Sequence, residues 1–510
     1  MISCLLVVRL PIAVLTAVTV GVLAASAQTT SGVDPIDYLA KSAAPITTVP
    51  ELEAYLKPKT IDEVDKAYPL PQDPKTIQKV RADRLKQLRA DTVDVYNKFG
   101  STKAAWADKA RTAMEAFCLA YTRSAVTDKG PYCQAFFKAL KNLEGIDCGD
   151  PLIRYWMLQY SPRSATEESL PKYVAAVDAL EKSKYTRLTF HAAYQTYAIA
   201  YQLARKADTA VTAEDLENRH QQYRTALKAM ITDPRPAYWA DALPLLTLEV
   251  QLHMESGKSR LGAWRDVDDR LEGMEAVPWV RAALEGRVLV LAAWDARGNG
   301  AGNTVDAEAF EIFKDRLATA QQKLEAAWQA DSTLAAPATH MLDVAKGLGF
   351  EREAMETWFR RAMEADPDNL TACEAKKDWL QLKWRGKPKD ALAFTYQCLR
   401  TNNYYAHLPF LAETPQLAVL PVEKQELIEE YTGRAGTWTP VQVIYEAHLA
   451  RYPDDVWAHT RYAQRSGLWG KWDVADAQFK ALGGKPWPGI FAKDEFTRLA
   501  QKAKDEATKK

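Results

Sequence analysis

The sequence predicts an all-α protein in which helix hairpins stack into an α-solenoid. Three observations lead to this prediction: apolar residues recur at helical spacing, helix-start and helix-end signals recur between them, and the β-branched alternation typical of strands is nearly absent. A hairpin cannot bury its apolar face alone, so successive hairpins should stack on one another. The chain is expected to divide into residues 1–27, 28–150, 151–300, 301–415 and 416–510.

Residues 1–27 are predicted to be a cleaved signal peptide. Arg9 precedes an apolar stretch over residues 10–25, and the segment closes with Ala25-Ser26-Ala27. Small residues at the −3 and −1 positions fit the subsites of a signal peptidase. An uncleaved N-terminal anchor is the alternative, although the stretch is short for a span that needs about 20 residues. We therefore expect an exported protein, periplasmic or extracellular, with no transmembrane segment in its mature part.

Residues 28–150 form the expected N-terminal helical segment, and residues 151–300 the expected helical hairpins. Capping boxes, in which a hydroxyl covers a free N–H and a Glu reaches back, occur at Thr60–Glu63 and Ser164–Glu167. Proline is favoured at the first positions of a helix, and glycine just past its end. These preferences predict helix starts at Pro151, Pro278 and Pro440, and helix ends at Gly100, Gly298, Gly433 and Gly467.

Residues 301–415 contain the clearest repeats. The segment Ala326–Asp331 recurs 35 residues later as Arg361–Asp366, which is followed by Pro367-Asp368. Small and aromatic residues that pack a hairpin, followed by a proline that turns the chain, are typical of tetratricopeptide repeats. The pattern returns in residues 416–510, where Ala475, Phe479 and Leu482 keep the register set by Pro453. We therefore expect a right-handed solenoid of tetratricopeptide-like hairpins that ends in a C-terminal repeat pair and cap.

Residues 278 to about 403 resemble an uncharacterised family of exported bacterial tetratricopeptide-like helical-repeat proteins, a domain of unknown function. The most specific string is Ala293–Gly300, and the match continues through Trp358–Met363, Pro367–Asn369, Trp384–Gly386 and Ala393–Cys398. The resemblance covers about a quarter of the chain. It implies a helical-repeat fold and bacterial export, and it brings no known activity and no catalytic residues.

The charge balance excludes partners that need a basic protein. Removal of Arg9 with the signal peptide leaves 65 basic residues against 66 acidic ones. Nucleic acids and anionic membranes usually require a basic excess, so neither is an expected partner. The chain is rich in Trp and Tyr, with 15 and 22 residues. Such side chains fill cores and, on exported proteins, also stack on sugars, so a glycan is a possible ligand beside a protein or peptide.

Five cysteines remain after the signal peptide: Cys118, Cys133, Cys148, Cys373 and Cys398. In an oxidising compartment most of them should pair, and the odd count leaves one thiol over. We expect Cys373–Cys398 across a helix hairpin and Cys133–Cys148, with Cys118 unpaired on an apolar helix face. The alternative is five reduced, buried cysteines. No CxxC spacing occurs, which indicates neither a redox dithiol nor a zinc site.

The glycine-rich string Trp294–Thr304 is the first candidate ligand site. Such a backbone can direct N–H groups at an anion, but the string lacks the spacing of phosphate-binding loops. Its ordinary interpretation is a helix end at Gly298 and a turn to an N-cap at Thr304. If the loop binds a ligand, Trp294, Arg297 and Asn299 are the side chains that we expect to contact it.

The second candidate site surrounds the turn of the hairpin that carries Cys373 and Cys398. It contains Trp379, Trp384 and Arg385. Trp and Arg are enriched where one protein anchors another, although they also fill space beneath loops.

No residue set indicates catalysis, a cofactor or a metal. The histidines are scattered, and no two of them stand four apart on a helix: His191, His220, His253, His340, His407, His448 and His459. His191 shares a helical face with Tyr194, Tyr197 and Tyr201. That stripe would suit a lyase on a helical toroid, or the packing face of a repeat helix.

The expected function is therefore a non-enzymatic scaffold that binds a protein or peptide partner. Stacked hairpins have one helical face that is not buried in the core, and such faces commonly bind peptide segments. The alternative is an exported polysaccharide lyase or glycoside hydrolase on an (α/α) toroid. The two differ in topology, because a toroid must close around a cleft lined by acids, His and Tyr.

Overall fold

The computed structural model describes residues 66–122, 131–160, 166–206, 208–231, 242–255, 257–271, 278–298, 304–381, 384, 386, 388–413, 432, 436–492 and 494–509. In these ranges the regular structure is helical and no strand occurs, which confirms the all-α prediction. The predicted signal peptide, the capping box at Thr60 and the expected helix end at Gly433 lie outside the described residues. No described helix is long and apolar enough to cross a bilayer.

The first half of the described chain contains ten helices. They are α1 (Pro74–Asp91), α2 (Val93–Phe99), α3 (Ala107–Tyr121), α4 (Pro131–Lys141), α5 (Pro151–Gln159), α6 (Leu170–Glu181), α7 (Thr186–Ala204), α8 (Ala213–Ile231), α9 (Ala242–Met254) and α10 (Arg260–Leu271). One hydrophobic cluster runs through these helices and on into the next one, up to Val288, and it also includes Ala327 and Tyr405.

The second half continues with the helices of the segments that the sequence predicts to be repeats. They are α11 (Pro278–Arg297), α12 (Ala307–Ala330), α13 (Ala335–Leu348), α14 (Arg352–Ala365), α15 (Leu370–Trp379) and α16 (Pro388–Arg400). Two short 3-10 helices follow, Tyr404–Ala406 and Leu408–Ala412. The chain then forms α17 (Trp438–Arg451), α18 (Val456–Leu468), α19 (Trp472–Leu482) and α20 (Glu495–Ala507).

The helix ends follow the local signals in most places. Asp150 caps α5 by accepting hydrogen bonds from Leu152 N and Ile153 N, with Pro151 at the first position. Gly298 follows the last residue of α11 with a φ of +68°, a left-handed conformation that glycine adopts without strain.

Other predicted helix starts were displaced. The N-cap of α12 is Asp306, not Thr304, because the Asp306 carboxylate accepts from Glu308 N and Ala309 N. Helix α17 begins at Trp438, two residues before Pro440. Helix α6 begins at Leu170, well after the predicted capping box at Ser164, which lies largely outside the described residues.

The helices α11 to α15 pack against one another. Each helix packs against the next along the chain, and α13 also packs against α11 on one side and α15 on the other. The α11–α13–α15 row is therefore continuous, as in stacked helix hairpins. Helices α11 and α12 approach closely at Gly286, where an added Cβ would lie 2.6 Å from Leu324 Cγ. At the C-terminal repeat, the predicted packing residues Ala475, Phe479 and Leu482 are buried.

The N-terminal helix α1 folds back onto the repeats. Arg84 Nη1 donates to Asp366 Oδ1 at 2.9 Å, and Arg81 forms two contacts with Asp368. Before α1, Gln72 Nε2 donates to the Pro367 carbonyl at 2.7 Å. The turn between α14 and α15, predicted as the end of a repeat, thus receives two arginines from a helix more than 280 residues earlier.

A second return contact joins α4 to the C-terminal repeat pair. The ring of Tyr132 meets that of Tyr405 at 4.5 Å, and Tyr405 Oη donates to the Leu119 carbonyl. Gln134 Nε2 donates to Asp455 Oδ1 at 3.0 Å, and Gln134 Oε1 accepts from Val456 N. The N-terminal segment therefore packs on the far repeats as well as on its neighbours in sequence.

The predicted disulfides are absent from the structure. Neither Cys373 and Cys398 nor Cys133 and Cys148 are joined by a disulfide, so neither predicted pair is bonded. Cys118 is also free, and its sulfur lies 3.0 Å from Thr92 Oγ1. All five side chains lie in the core, and burial raises the pKa of Cys118 to about 12. They pack as small apolar side chains, which was the alternative interpretation.

Candidate functional site

Two tryptophans that the sequence singled out separately lie in contact. The rings of Trp294, at the end of α11, and Trp384, after α15, meet edge to face with their centroids 5.8 Å apart. Both side chains are partly buried. Phe313 of α12 packs against Trp294 from the core side, at 4.9 Å. Residues 90 positions apart thus form one aromatic surface at the α11–α13–α15 row.

Two cations cover this aromatic pair. Lys346 of α13 places its Nζ 5.0 Å from the Trp294 ring centroid and 5.7 Å from that of Trp384. The Arg297 guanidinium lies 5.7 Å from the Trp294 ring. A cation over an indole face is attracted by the electron-rich ring, by about 0.5–2 kcal/mol depending on desolvation. We call Trp294, Arg297, Lys346 and Trp384 the Trp294–Trp384 cluster.

A chain of alternating charges runs beside the cluster across the three helices. Arg287 of α11 donates to Asp343 of α13 at 3.2 Å, and Lys346 donates to Asp343 at 3.4 Å and to Asp378 of α15 at 2.7 Å. Burial alone would raise the pKa of Asp343, but Lys346 and Arg287 hold that pKa below its ordinary value. Burial likewise opposes the charge of Lys346, while Asp343 and Asp378 keep the lysine pKa raised. The surface is therefore charged at neutral pH.

The local sequence explains why the side chains of Trp294 and Trp384 remain partly exposed. Trp294 and Arg297 are three residues apart in the last turn of α11, so they share one face, and Gly298 ends the helix there. Trp384 lies in a tight turn in which Gly386 N donates to the Gln381 carbonyl. A Cβ on Gly386 would overlap the Leu380 carbonyl, so this turn requires glycine.

The remaining predicted ligand residues lie elsewhere. Trp379 is 2% exposed and belongs to the core of the repeats, with the Arg352 guanidinium 6.0 Å from its ring. Its indole Nε1 is buried without a hydrogen-bond partner, as in an apolar packing residue. Asn299 and Arg385 lie outside the described residues.

Four charged residues of the site were not anticipated: Arg287, Asp343, Lys346 and Asp378. The signal that could have identified two of them is the spacing of His340, Asp343 and Lys346 on α13. Polar residues at three-residue intervals lie along one face of a helix. Where the residues between them are buried, that polar face indicates a surface that is not part of the hydrophobic core. Burial, with the nearby charge of Arg287, lowers the pKa of His340 to about 3, so this imidazole is neutral.

The His191 stripe belongs to the core. His191, Tyr194 and Tyr197 are buried on α7, and His191 packs against the ring of Phe190. Tyr197 Oη lies 3.3 Å from His253 Nε2, while Tyr223 Oη donates to Glu249. Burial lowers the pKa of His191 to about 4. These side chains connect α7, α8 and α9, which agrees with the packing interpretation.

No family model matches the chain, and no curated protein and no solved structure is significantly similar to it.

Proposed function

We propose that this protein is a non-enzymatic scaffold that binds a protein or peptide segment at the Trp294–Trp384 cluster. The observation that supports this most directly is the convergence of two partly buried tryptophans and two cations on one row of repeat helices. Tryptophan and arginine are the residues most often found to anchor a partner, because they bury a large area around a polar group.

The charges favour a partner that brings a carboxylate. This surface carries three cationic side chains, Arg287, Arg297 and Lys346. It carries two carboxylates, Asp343 and Asp378, so one positive charge is in excess. Arg297 donates to the carbonyl of its neighbour Gly298, and its guanidinium has further N–H groups to offer. We expect a peptide that places an aromatic or apolar side chain on the indoles and an acidic side chain or C-terminal carboxylate beside Arg297.

The proposed cellular location and solenoid fold rest on the sequence. An exported protein, periplasmic or extracellular, with stacked tetratricopeptide-like hairpins in a right-handed solenoid would present the α11–α13–α15 row to partners in the envelope. The resemblance to exported helical-repeat proteins supports this placement, as does the Ala25-Ser26-Ala27 cleavage pattern.

The alternative enzyme class has less support. A lyase or hydrolase on a toroid would need His, Tyr and carboxylates around an open cleft, and the stripe that suggested one, at His191, is buried in the core. The packing of α1 and α4 on the distant repeats is compatible with a closed ring. Enzymatic activity is therefore one of the outcomes that the experiment tests.

The test is affinity capture from the envelope fraction with the mature chain immobilised. The double variant Trp294→Ala/Trp384→Ala should lose the specific partner. Trp328→Ala is the matched control, because Trp328 also lies under a guanidinium, that of Arg361 at 3.9 Å, but on α12 and away from the cluster. A partner retained equally by all three proteins would place binding elsewhere. Depolymerisation of an acidic polysaccharide by the unaltered protein would replace the scaffold proposal with the enzyme class.

A further inference from the structure

Two histidines and an aspartate from three separate segments meet in the core near the C-terminal repeat pair. His407 lies between the two 3-10 helices, His448 lies in the last turn of α17, and Asp455 is the N-cap of α18. One potential ligand atom on each residue lies within 4.8 Å of those on the other two. All three side chains are buried, and those of His448 and Asp455 are fully inaccessible to solvent.

The polar atoms of this group are arranged around His448. Its Nε2 lies 2.8 Å from Asp455 Oδ2, whereas its Nδ1 is buried and has no hydrogen-bond partner. A buried imidazole nitrogen without a partner is costly, since burial removes the water that would otherwise bind it. The nitrogen that faces Asp455, Nε2, is the one that would share a metal ion with that carboxylate, since imidazole nitrogens are common metal ligands.

Asp455 is a buried carboxylate that lacks a fixed cation among its hydrogen-bond partners. Its Oδ1 accepts from Gln134 Nε2 at 3.0 Å and from Ala458 N at 3.1 Å, and its Oδ2 faces His448. Hydrogen bonds thus orient the carboxylate and leave one oxygen directed at the imidazole. Buried carboxylates are usually paired with a cation or bound to a metal, because an isolated charge is poorly tolerated in the interior.

Aromatic rings enclose the two histidines. Trp457 stacks on His407 with centroids 4.5 Å apart and planes at 13°, and Phe410 packs edge-on against both imidazoles, at 5.3 and 5.2 Å. Such walls fix the ring orientations and lower the local dielectric, which strengthens metal–ligand attraction. His407 itself has a φ of +60°, an uncommon backbone conformation for a residue other than glycine.

We infer that His407, His448 and Asp455 supply three ligands of a site for one divalent transition-metal ion of the zinc class. Zinc takes nitrogen and oxygen ligands at about 2.0–2.2 Å in a tetrahedron, so its ligand atoms lie roughly 3.4 Å apart. Three atoms within 4.8 Å reach that spacing through side-chain shifts of about 1 Å. Two imidazoles and a carboxylate suit zinc, nickel or cobalt better than copper(I), which prefers sulfur ligands.

The position of the site gives it a structural role. Its ligands come from the 3-10 segment that follows α16, from α17 and from α18, and Gln134 of α4 contacts the ligand Asp455. A metal ion would therefore join the clear repeats, the C-terminal repeat pair and the N-terminal segment at one point. The three ligands do not form a sequence motif, since His407 and His448 are 41 residues apart.

The experiment uses the mature chain stripped with a chelator and then titrated with Co²⁺ and Zn²⁺. We expect one metal per chain, visible cobalt absorption bands typical of nitrogen and oxygen ligands, and a rise in the thermal midpoint with Zn²⁺. Asp455→Asn retains a good N-cap, and His407→Asn tolerates a positive φ, so both variants should fold. Each should bind at least tenfold more weakly and lose the thermal shift.

His459→Gln is the matched control. His459 lies on the same helix as the N-cap Asp455, and it bonds to Gln478 and the Pro453 carbonyl instead of to the cluster. This variant should bind metal as the unaltered chain does. Failure of the unaltered chain to take up one equivalent at micromolar metal would overturn the inference, as would equal affinity in the Asp455→Asn and His407→Asn variants, with folding checked by circular dichroism. Neither result bears on partner binding at the Trp294–Trp384 cluster.

Discussion

Arg81 binds Asp368 through two parallel contacts, Nε to Oδ2 at 2.8 Å and Nη2 to Oδ1 at 2.5 Å, although 287 positions separate them. Asn403 completes the group by donating to Asp368 Oδ1 and accepting from Arg81 Nη2. The Asp368 side chain is 1% exposed, so this bidentate pair is largely shielded from water. It fixes α1 against the turn between two repeats.

Replacement of Arg81 should therefore destabilise the fold. Arg81→Ala leaves the buried Asp368 carboxylate without its cation, and we expect a loss of roughly 2–4 kcal/mol in the free energy of unfolding. Urea unfolding followed by circular dichroism measures it. Lys480→Ala is the control, because its ion pair with Asp476 is largely exposed on the lysine side and should contribute about 0.5 kcal/mol or less. Equal effects of the two substitutions would contradict the role of the return contact.

The close approach of α11 and α12 makes Gly286 sensitive to a single added methyl group. Gly286→Ala would place its Cβ against Leu324 and force the helices apart, at a cost of about 1–3 kcal/mol. Gly262→Ala is the matched control in α10, where the nearest atom is the Ser259 hydroxyl oxygen at 3.2 Å. That change should be neutral or stabilising by up to about 1 kcal/mol, because alanine favours the helix. Thermal midpoints of both variants test the contrast.

The buried His191 should make stability depend on pH. Burial lowers its pKa from 6.5 to about 4 in the folded state, so the unfolded chain binds more protons between these values. The stability that His191 contributes is therefore present above pH 6.5 and lost as pH falls toward 4, by about 3 kcal/mol in total. The urea midpoint should decrease less between pH 7 and pH 5 in His191→Gln than in the unaltered chain. Equal decreases in the two proteins would be inconsistent with a neutral buried imidazole.

The cysteines allow a direct count. The structure has five buried cysteines that are not in disulfides, so the mature protein should be unreactive to alkylation when folded and should take up five labels in denaturant without reductant. Two disulfides, Cys373–Cys398 and Cys133–Cys148, would leave a single label at Cys118. Mass mapping under non-reducing conditions distinguishes the two outcomes. A single label would support export to an oxidising compartment.

Much of the local structure could be predicted from the sequence. Asp150, Pro151 and Gly298 mark helix ends because capping involves groups only two to four residues apart. The turn Pro367-Asp368 and the packing residues Ala475 and Phe479 follow from repeat spacing for the same reason. The N-cap of α12 was misplaced by two residues, since Thr304 and Asp306 are both acceptable caps and only the backbone path decides between them.

The candidate site was predicted only in fragments. Trp294, Arg297 and Trp384 were each identified by residue type, but the sequence offered no reason to join residue 294 to residue 384. Trp379 was assigned to the same surface because it lies near Trp384 in sequence, and the structure buries it in the core. A difference of a few residues changes which side of a helix a side chain faces, and near a helix end spacing alone does not fix that side.

The sequence by itself determined that this protein is helical, where many of its helices begin and end, and which segments repeat, because spacing and capping depend on neighbours along the chain. Only the tertiary structure decided that Trp294 meets Trp384, that Asp368 receives Arg81, and that His407, His448 and Asp455 share one buried space. Those pairings depend on how the helices stack and on the return of α1 and α4 to the distant repeats. A single sequence carries little trace of them, since the energy of such contacts arises only once packing excludes water.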